Sequence, residues 1–190
     1  MIEEVIKLIN TGLQGIDSDE KIIGLTQLIW RLSGADKVDY LPGVVDSSGE
    51  AIYAGIDDVN SIMLYHRSNA AQLSFTRNSG GYGDGRQNED VISFSLISVW
   101  DTRKIQTEKA DMLLLLRSRI PQEIAGIDGI NQIVITPTGA LLNTKQIFES
   151  EYKMQVAYLL PNFINIIQLN YNIQFKYDPR CIEKCINCKN

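Results

Sequence analysis

The stretch IQLNYNIQFKY, residues 167–177, alternates without interruption: Ile167, Leu169, Tyr171, Ile173, Phe175 and Tyr177 are interleaved with Gln168, Asn170, Asn172, Gln174 and Lys176. Successive side chains of an extended chain point to opposite faces, so the pattern specifies a long strand with one apolar and one polar face. A strand of this kind belongs to an antiparallel sheet packed on helices on one side. Whatever else the chain does, it has to build a sheet around this segment.

The rest of the chain supplies the material. At 190 residues it is long enough to bury a core without metals or disulfides, and a single domain is the default. Hydrophobic residues make up 44% and charged residues 22%, which places it with ordinary globular proteins and away from disordered chains. The net charge of −5, with no run of Lys and Arg, argues against tight binding of nucleic acid. The start, MIEEVIKLIN, has Glu3 and Glu4 where a signal peptide needs positive charge, so no export is expected. The densest apolar stretch, ADMLLLLRSRI, is interrupted by Arg117 and Arg119 well short of the roughly 18 residues of a membrane span, and no membrane association is expected.

Helical spacing appears first near the start. Val5, Ile6, Ile9 and Leu13 fall on one face of a helix over 3–14, with Glu3 and Glu4 in the first turn where the helix dipole favours acids. The next segment, DSDEKIIGLTQLIWRLSG, predicts a second helix: Asp17 as N-cap, Glu20 three residues on, Ile22, Leu25, Ile29 and Leu32 at helical intervals, and Gly34 as the stop. Residues 1–35 therefore read as a helical N-terminal region. YLPGVV and AIYAGI, separated by DSSGE, suit a hairpin. SIMLYHRS and AQLSFTRN follow as two strand candidates.

Residues 78–90, NSGGYGDGRQNED, read as a long exposed loop. VISFSLISVW then alternates and changes phase after Leu96, which predicts a bulged central strand. TEKADMLLLLRSRIP predicts a helix with Thr107 as N-cap, Pro121 as terminator and Leu113–Leu116 buried on more than one side. QIVITP reads as a short buried strand, and NTKQIFESEYKMQVAYLLP is compatible with a helix or with a strand and loop. The sum is a single α+β domain over 1–190, an antiparallel or mixed sheet packed on helices, with a cysteine-containing tail at 178–190.

Chemistry has four candidate locations. Cys181, Cys185 and Cys188 are the chain's three cysteines, spaced C-x3-C-x2-C as in radical S-adenosylmethionine enzymes. Those enzymes set the motif near the start of a barrel of alternating strands and helices, which this pattern lacks. A zinc site completed by His66, the sole histidine, is the other metal reading, and free thiols on an exposed tail the simplest one. His66 itself, in MLYHRS, has no readable partner for acid–base work. The glycine-rich GGYGDGR lacks the residues of a P-loop or dinucleotide fingerprint, and Tyr82 and Arg86 within it are candidate interface anchors. The acidic pairs Asp57-Asp58 and Glu89-Asp90 read as turn residues before strands. No cofactor and no enzymatic activity are expected.

The order of elements over roughly residues 40–177 resembles the tail-terminator and neck proteins of tailed bacteriophages. It rests on a long polar loop between strands, then VISFSLISVWDTRKIQTEKADMLLLLRSRIP, QIVITP and IQLNYNIQFKY. The Ile-, Asn- and Lys-rich character is similar to virion proteins of the crAss-like phages. The resemblance implies a structural virion protein that forms a homo-oligomeric ring joining portal and tail. It would be made in the bacterial host cytoplasm, contact portal, neck and tail proteins, and let DNA pass through its channel. A metal- or iron–sulfur-binding protein using the three cysteines, and a host-side adaptor binding through the glycine-rich loop, stand as alternatives.

Overall fold

The computed structural model describes residues 2–32, 38–56, 59–77, 88–125, 130–152 and 160–177. The alternating segment is strand β8 (Ile164–Tyr177), in the interior of an eight-stranded sheet. The other strands are β1 (Glu20–Leu32), β2 (Val38–Val45), β3 (Ala51–Tyr53), β4 (Ile62–Arg77), β5 (Asn88–Asp101), β6 (Glu123–Ala125) and β7 (Ile130–Leu141). Helices α1 (Ile2–Leu13), α2 (Lys109–Arg119) and α3 (Thr144–Glu151) complete the α+β fold. The strand order is β3-β2-β1-β4-β5-β8-β7-β6, with β1 and β4 parallel and every other neighbouring pair antiparallel.

The sheet has an apolar layer on each face. α1 and α2 cover one face, where Val5, Ile6, Ile9 and Leu13 meet Leu64, Phe94, Leu96 and the odd-numbered residues of β8 from Ile167 onward. Each such side chain is worth about 1.5–3 kcal/mol relative to exposure. α3 covers part of the opposite face through Ile147, packed with Met63, Tyr65, Ile97, Val99, Ile164 and Ile166. The helices are thus not confined to one side, as the alternation of 167–177 suggested. The even face of β8 is apolar at Ile164 and Ile166, within the layer that α3 covers, and polar from Gln168 onward.

The same arrangement accounts for the phase change in β5. Its register with β8 runs from Asn88 to Asp101 without a shift, so the expected bulge is absent there. Phe94, Leu96 and Trp100 enter the first layer and Ile97 and Val99 the second: the strand passes from burial on one face to burial on both. The irregularity lies in β4, where the ladder to β5 shifts between Ser68 and Leu73 and joins the two expected strands into one.

The second predicted helix is strand β1. Its local signals operate, but in a turn. Asp17 Oδ1 accepts from Asp19 N at 3.0 Å, and the Glu20 carboxylate accepts from the backbone N–H groups of Gly15 and Ile16 at 2.8 Å and Asp17 at 3.3 Å. A carboxylate reaching back to free N–H groups is what starts a helix; here it closes the α1–β1 turn. Ile22, Ile23, Thr26 and Ile29 favour extended chain, and two neighbouring strands supply the ladders that decide the outcome. Among the described residues of 1–35 the helical structure is therefore α1, while Gly34 lies outside the described residues.

Smaller expectations divide similarly. β2 and β3 form the hairpin, its turn closed by Asp46 Oδ1 accepting from Ser48 N, Ser48 Oγ and Glu50 N, with Gly49 at φ +86°. α2 begins at Lys109 with Glu108 in the N-cap position, so Thr107 is not its cap. Leu116 is buried and Leu114 is 62% exposed, because α2 packs one side on the sheet. QIVITP is part of a longer β7, and the first part of the ambiguous segment is helix α3, with Asn143 Oδ1 capping Gln146 N at 3.1 Å, while 153–159 lie outside the described residues.

Candidate functional site

β1 divides its pairing between two partners. Glu20–Thr26 runs beside Ile62–Arg67 of β4, whereas Gln27–Leu32 pairs with Val38–Gly43 of β2. The sheet splits after Thr26, whose Oγ1 donates to the His66 carbonyl at 3.0 Å. Beyond the split, β4 continues from Ser68 to Arg77, and among the described residues no strand pairs with it on the side away from β5. The ladder itself is irregular at this point: the register shifts between Ile22 and Gly24, and Gly24 holds φ +96°, a conformation that side-chain-bearing residues avoid.

Two cavities meet at the split. One, of about 580 Å³, lies between α1 and β1 and is lined by Glu3, Lys7, Asn10, Ile23, Gly24 and Val44 among others. The other, of about 310 Å³, is lined by Leu28, Pro42, Arg67 and Glu151. Thr26, Gln27 and Ser68 line both. Arg67 pairs there with Glu151, the last residue of α3, whose side chain is 4% exposed.

Beside the first cavity stands a buried polar chain. His66 is fully buried; its Nδ1 lies 2.7 Å from the Tyr171 hydroxyl and its Nε2 2.7 Å from Asn10 Oδ1. An amide oxygen only accepts, so Nε2 carries the proton and Nδ1 accepts from Tyr171. Burial pushes the His66 pKa down to about 3, keeping the ring neutral, and pushes the Tyr171 hydroxyl well above its ordinary range. Tyr171 also stacks on Phe94 with ring centroids 5.8 Å apart.

This geometry removes His66 from two of its candidate roles. Both ring nitrogens are engaged, so the imidazole cannot complete a zinc site with the cysteines. Neither nitrogen is free to take a proton from a substrate. Among the described residues no group of three or more His, Cys, Asp or Glu is placed to hold a metal ion. Cys181, Cys185, Cys188, Tyr82, Arg86, Asp57 and Asp58 lie outside the described residues. Glu89 and Asp90 belong to β5 rather than to a turn before it, and Asp90 Oδ2 accepts from Tyr177 OH at 2.9 Å.

Asn10 and Tyr171 were absent from the sequence-based candidates, although each left a signal. Asn10 falls four residues after Ile6, on the apolar stripe of α1, and Tyr171 is a phenol on the apolar face of β8. A polar atom on a buried face needs a partner, and the sole histidine, central in an apolar strand, is the natural one. The opposite face of the sheet carries an uncharged network in which Ser95 Oγ accepts from Asn69 Nδ2 and donates to Asn170 Oδ1, both at 2.8 Å, while Ser93 Oγ donates to Asn172 Oδ1 at 2.8 Å.

No family model matches the chain, and no curated protein matches its sequence.

Proposed function

We propose that this chain is a structural, ring-forming subunit of the tail-terminator or neck type, joining portal and tail in a phage particle. The observation that supports it best is a pair of unlike open edges on one sheet. On one side, no strand among the described residues pairs with β4 from Ser68 to Arg77 on its edge away from β5. On the other, β6 pairs with Gln132–Val134 of β7 and Ile135 N donates to Gln122 O, and no strand among the described residues pairs with Thr136–Leu141 on that side. Because β4, β5, β8 and β7 alternate in direction, the two open edges run antiparallel.

An exposed edge is a template for pairing with another chain. Joining an edge to its own copy makes a two-fold dimer, whereas joining two different edges propagates head to tail and closes a ring when the rotation allows. Antiparallel edges on one subunit meet as an antiparallel ladder between copies. Among the described strands, the exposed large apolar side chains Leu28, Tyr40, Val45 and Ile52 all lie on the β1–β2–β3 ribbon.

Native mass spectrometry and electron microscopy of the purified chain test the reading. The expected result is a closed ring of one stoichiometry. The bulge in β7 leaves Thr138 without a register partner on β8, so Thr138→Pro places a ring that cannot donate on this edge at little cost to the β7–β8 ladder and should shift the population to monomer with little change in melting temperature. A chain that stays monomeric at high concentration and is absent from purified particles contradicts the proposal.

A further inference from the structure

The cavity between α1 and β1 holds a donor that the fold has aimed. Asn10 Oδ1 faces His66 Nε2 at 2.7 Å and accepts from it, which leaves the amide's other end directed away from the ring. Its amino group, Nδ2, is turned toward the β1 bulge, 3.8 Å from where a side chain would begin at Gly24. Among the described residues no acceptor bonds to Nδ2. The absence of a side chain at Gly24 keeps the approach to it open. Lys7 lies one turn earlier on α1 and lines the same cavity, so an ammonium and an oriented amide donor share one helix face. Ile23, Val44 and Val45 line the cavity around them, and its volume of about 580 Å³ falls in the range that accepts small ligands.

The geometry points to a binding site for a carboxylate carried on a branched apolar body, its oxygens held by Asn10 Nδ2 and Lys7 and its chain by Ile23, Val44 and Val45. Charge-assisted hydrogen bonds from two donors favour an ionised acceptor over a neutral one. Glu3 lines the same cavity four residues before Lys7, so one carboxylate offsets the single ammonium and a ligand with more than one negative charge is disfavoured. The carboxylate can belong to a free branched-chain acid or to the C-terminal residue of a polypeptide, and both present the same group. The buried imidazole thus serves two groups, satisfying the Tyr171 hydroxyl at Nδ1 and holding the Asn10 amide at Nε2. The site stands whether or not the chain forms rings.

The test is calorimetric titration of the full chain with 4-methylpentanoate, with N-acetyl-glycyl-leucine and with the uncharged 4-methylpentanamide. At least one of the two acids should bind, about tenfold or more tighter than the amide, the difference one charge-assisted hydrogen bond makes. Binding of the free acid alone assigns a small-molecule ligand; binding of the acetylated dipeptide alone assigns a polypeptide terminus. Asn10→Ala should weaken acid binding by about tenfold or more. Since that change leaves His66 Nε2 without its acceptor, the exposed Lys7→Gln provides a variant that keeps the core intact and should also weaken the acid but not the amide. Equal affinity for acid and amide, no saturable binding of any probe at millimolar concentration, or unchanged affinity in Lys7→Gln overturns the inference.

Discussion

Replacing His66 by Gln should flatten the acid side of the stability curve. In the folded chain the imidazole is neutral down to about pH 3, while in the unfolded chain it titrates near its ordinary 6.5. Below pH 6.5 the unfolded state binds a proton that the folded state does not, so folding stability falls as pH drops, by about 1.4 kcal/mol per unit, until the folded ring itself titrates. From 6.5 to 4 that is about 3.5 kcal/mol, a large part of the roughly 5–15 kcal/mol that holds most domains together. Gln keeps an acceptor for Tyr171 OH and a donor for Asn10 Oδ1 but does not titrate. The variant should therefore begin less stable at pH 7, by about 1–3 kcal/mol for imperfect geometry in a buried network. It should then lose less stability than the native chain on acidification. Urea unfolding at pH 7, 6, 5 and 4, at one protein concentration, reads the difference. Two curves that stay parallel over this range would refute the reasoning, since they would mean that His66 is accessible to protons in the fold.

Two further outcomes follow from local geometry. Asp101, buried at the end of β5, accepts from Arg103 N at 2.9 Å and from Arg103 Nε and Nη2 at 2.9 and 2.6 Å, and these bonds hold its carboxyl below the usual carboxylate range. A depressed carboxyl pKa gives stability above the unfolded value, near 3.9, that is lost as pH falls through the folded one, so Asp101→Asn should be less stable at pH 7 and show a shallower loss below about pH 4. Thermal melts from pH 7 to 2 measure it; an unchanged acid limb contradicts it. Gly12 sits where α1 meets the end of α2: a Cβ there would lie 2.5 Å from the Arg119 carbonyl oxygen, so Gly12→Ala should destabilise by about 1–3 kcal/mol despite alanine's better helix propensity. A variant as stable as the native chain would show that the two helices part without cost.

The candidate site was partly legible. His66 could be found as the sole histidine, but its meaning depends on Asn10 and Tyr171, which approach it from 56 and 105 residues away in sequence. No spacing rule encodes such a meeting, because three elements converge on one point only after the sheet has formed. Asp17 and Glu20 show the opposite failure. Their local hydrogen bonds form as residue type implies, yet the chain after them is extended, since ladders from β2 and β4 outweigh a helical spacing of apolar residues that chance can supply.

By itself, the sequence determined the elements whose pattern answers to one period and one partner layer: α1, with its apolar stripe, and the alternation of β8, with the α+β class that these imply. Tertiary structure alone decided three things: that β1 is a strand shared by two neighbours, that α3 covers the second face, and that the sheet splits at Thr26 to leave open edges and two cavities. The physical reason is the range of the forces involved. Side-chain period and capping act within a few residues and can be read along the chain, whereas ladder pairing and the orientation of a buried amide are settled by groups that only folding brings together.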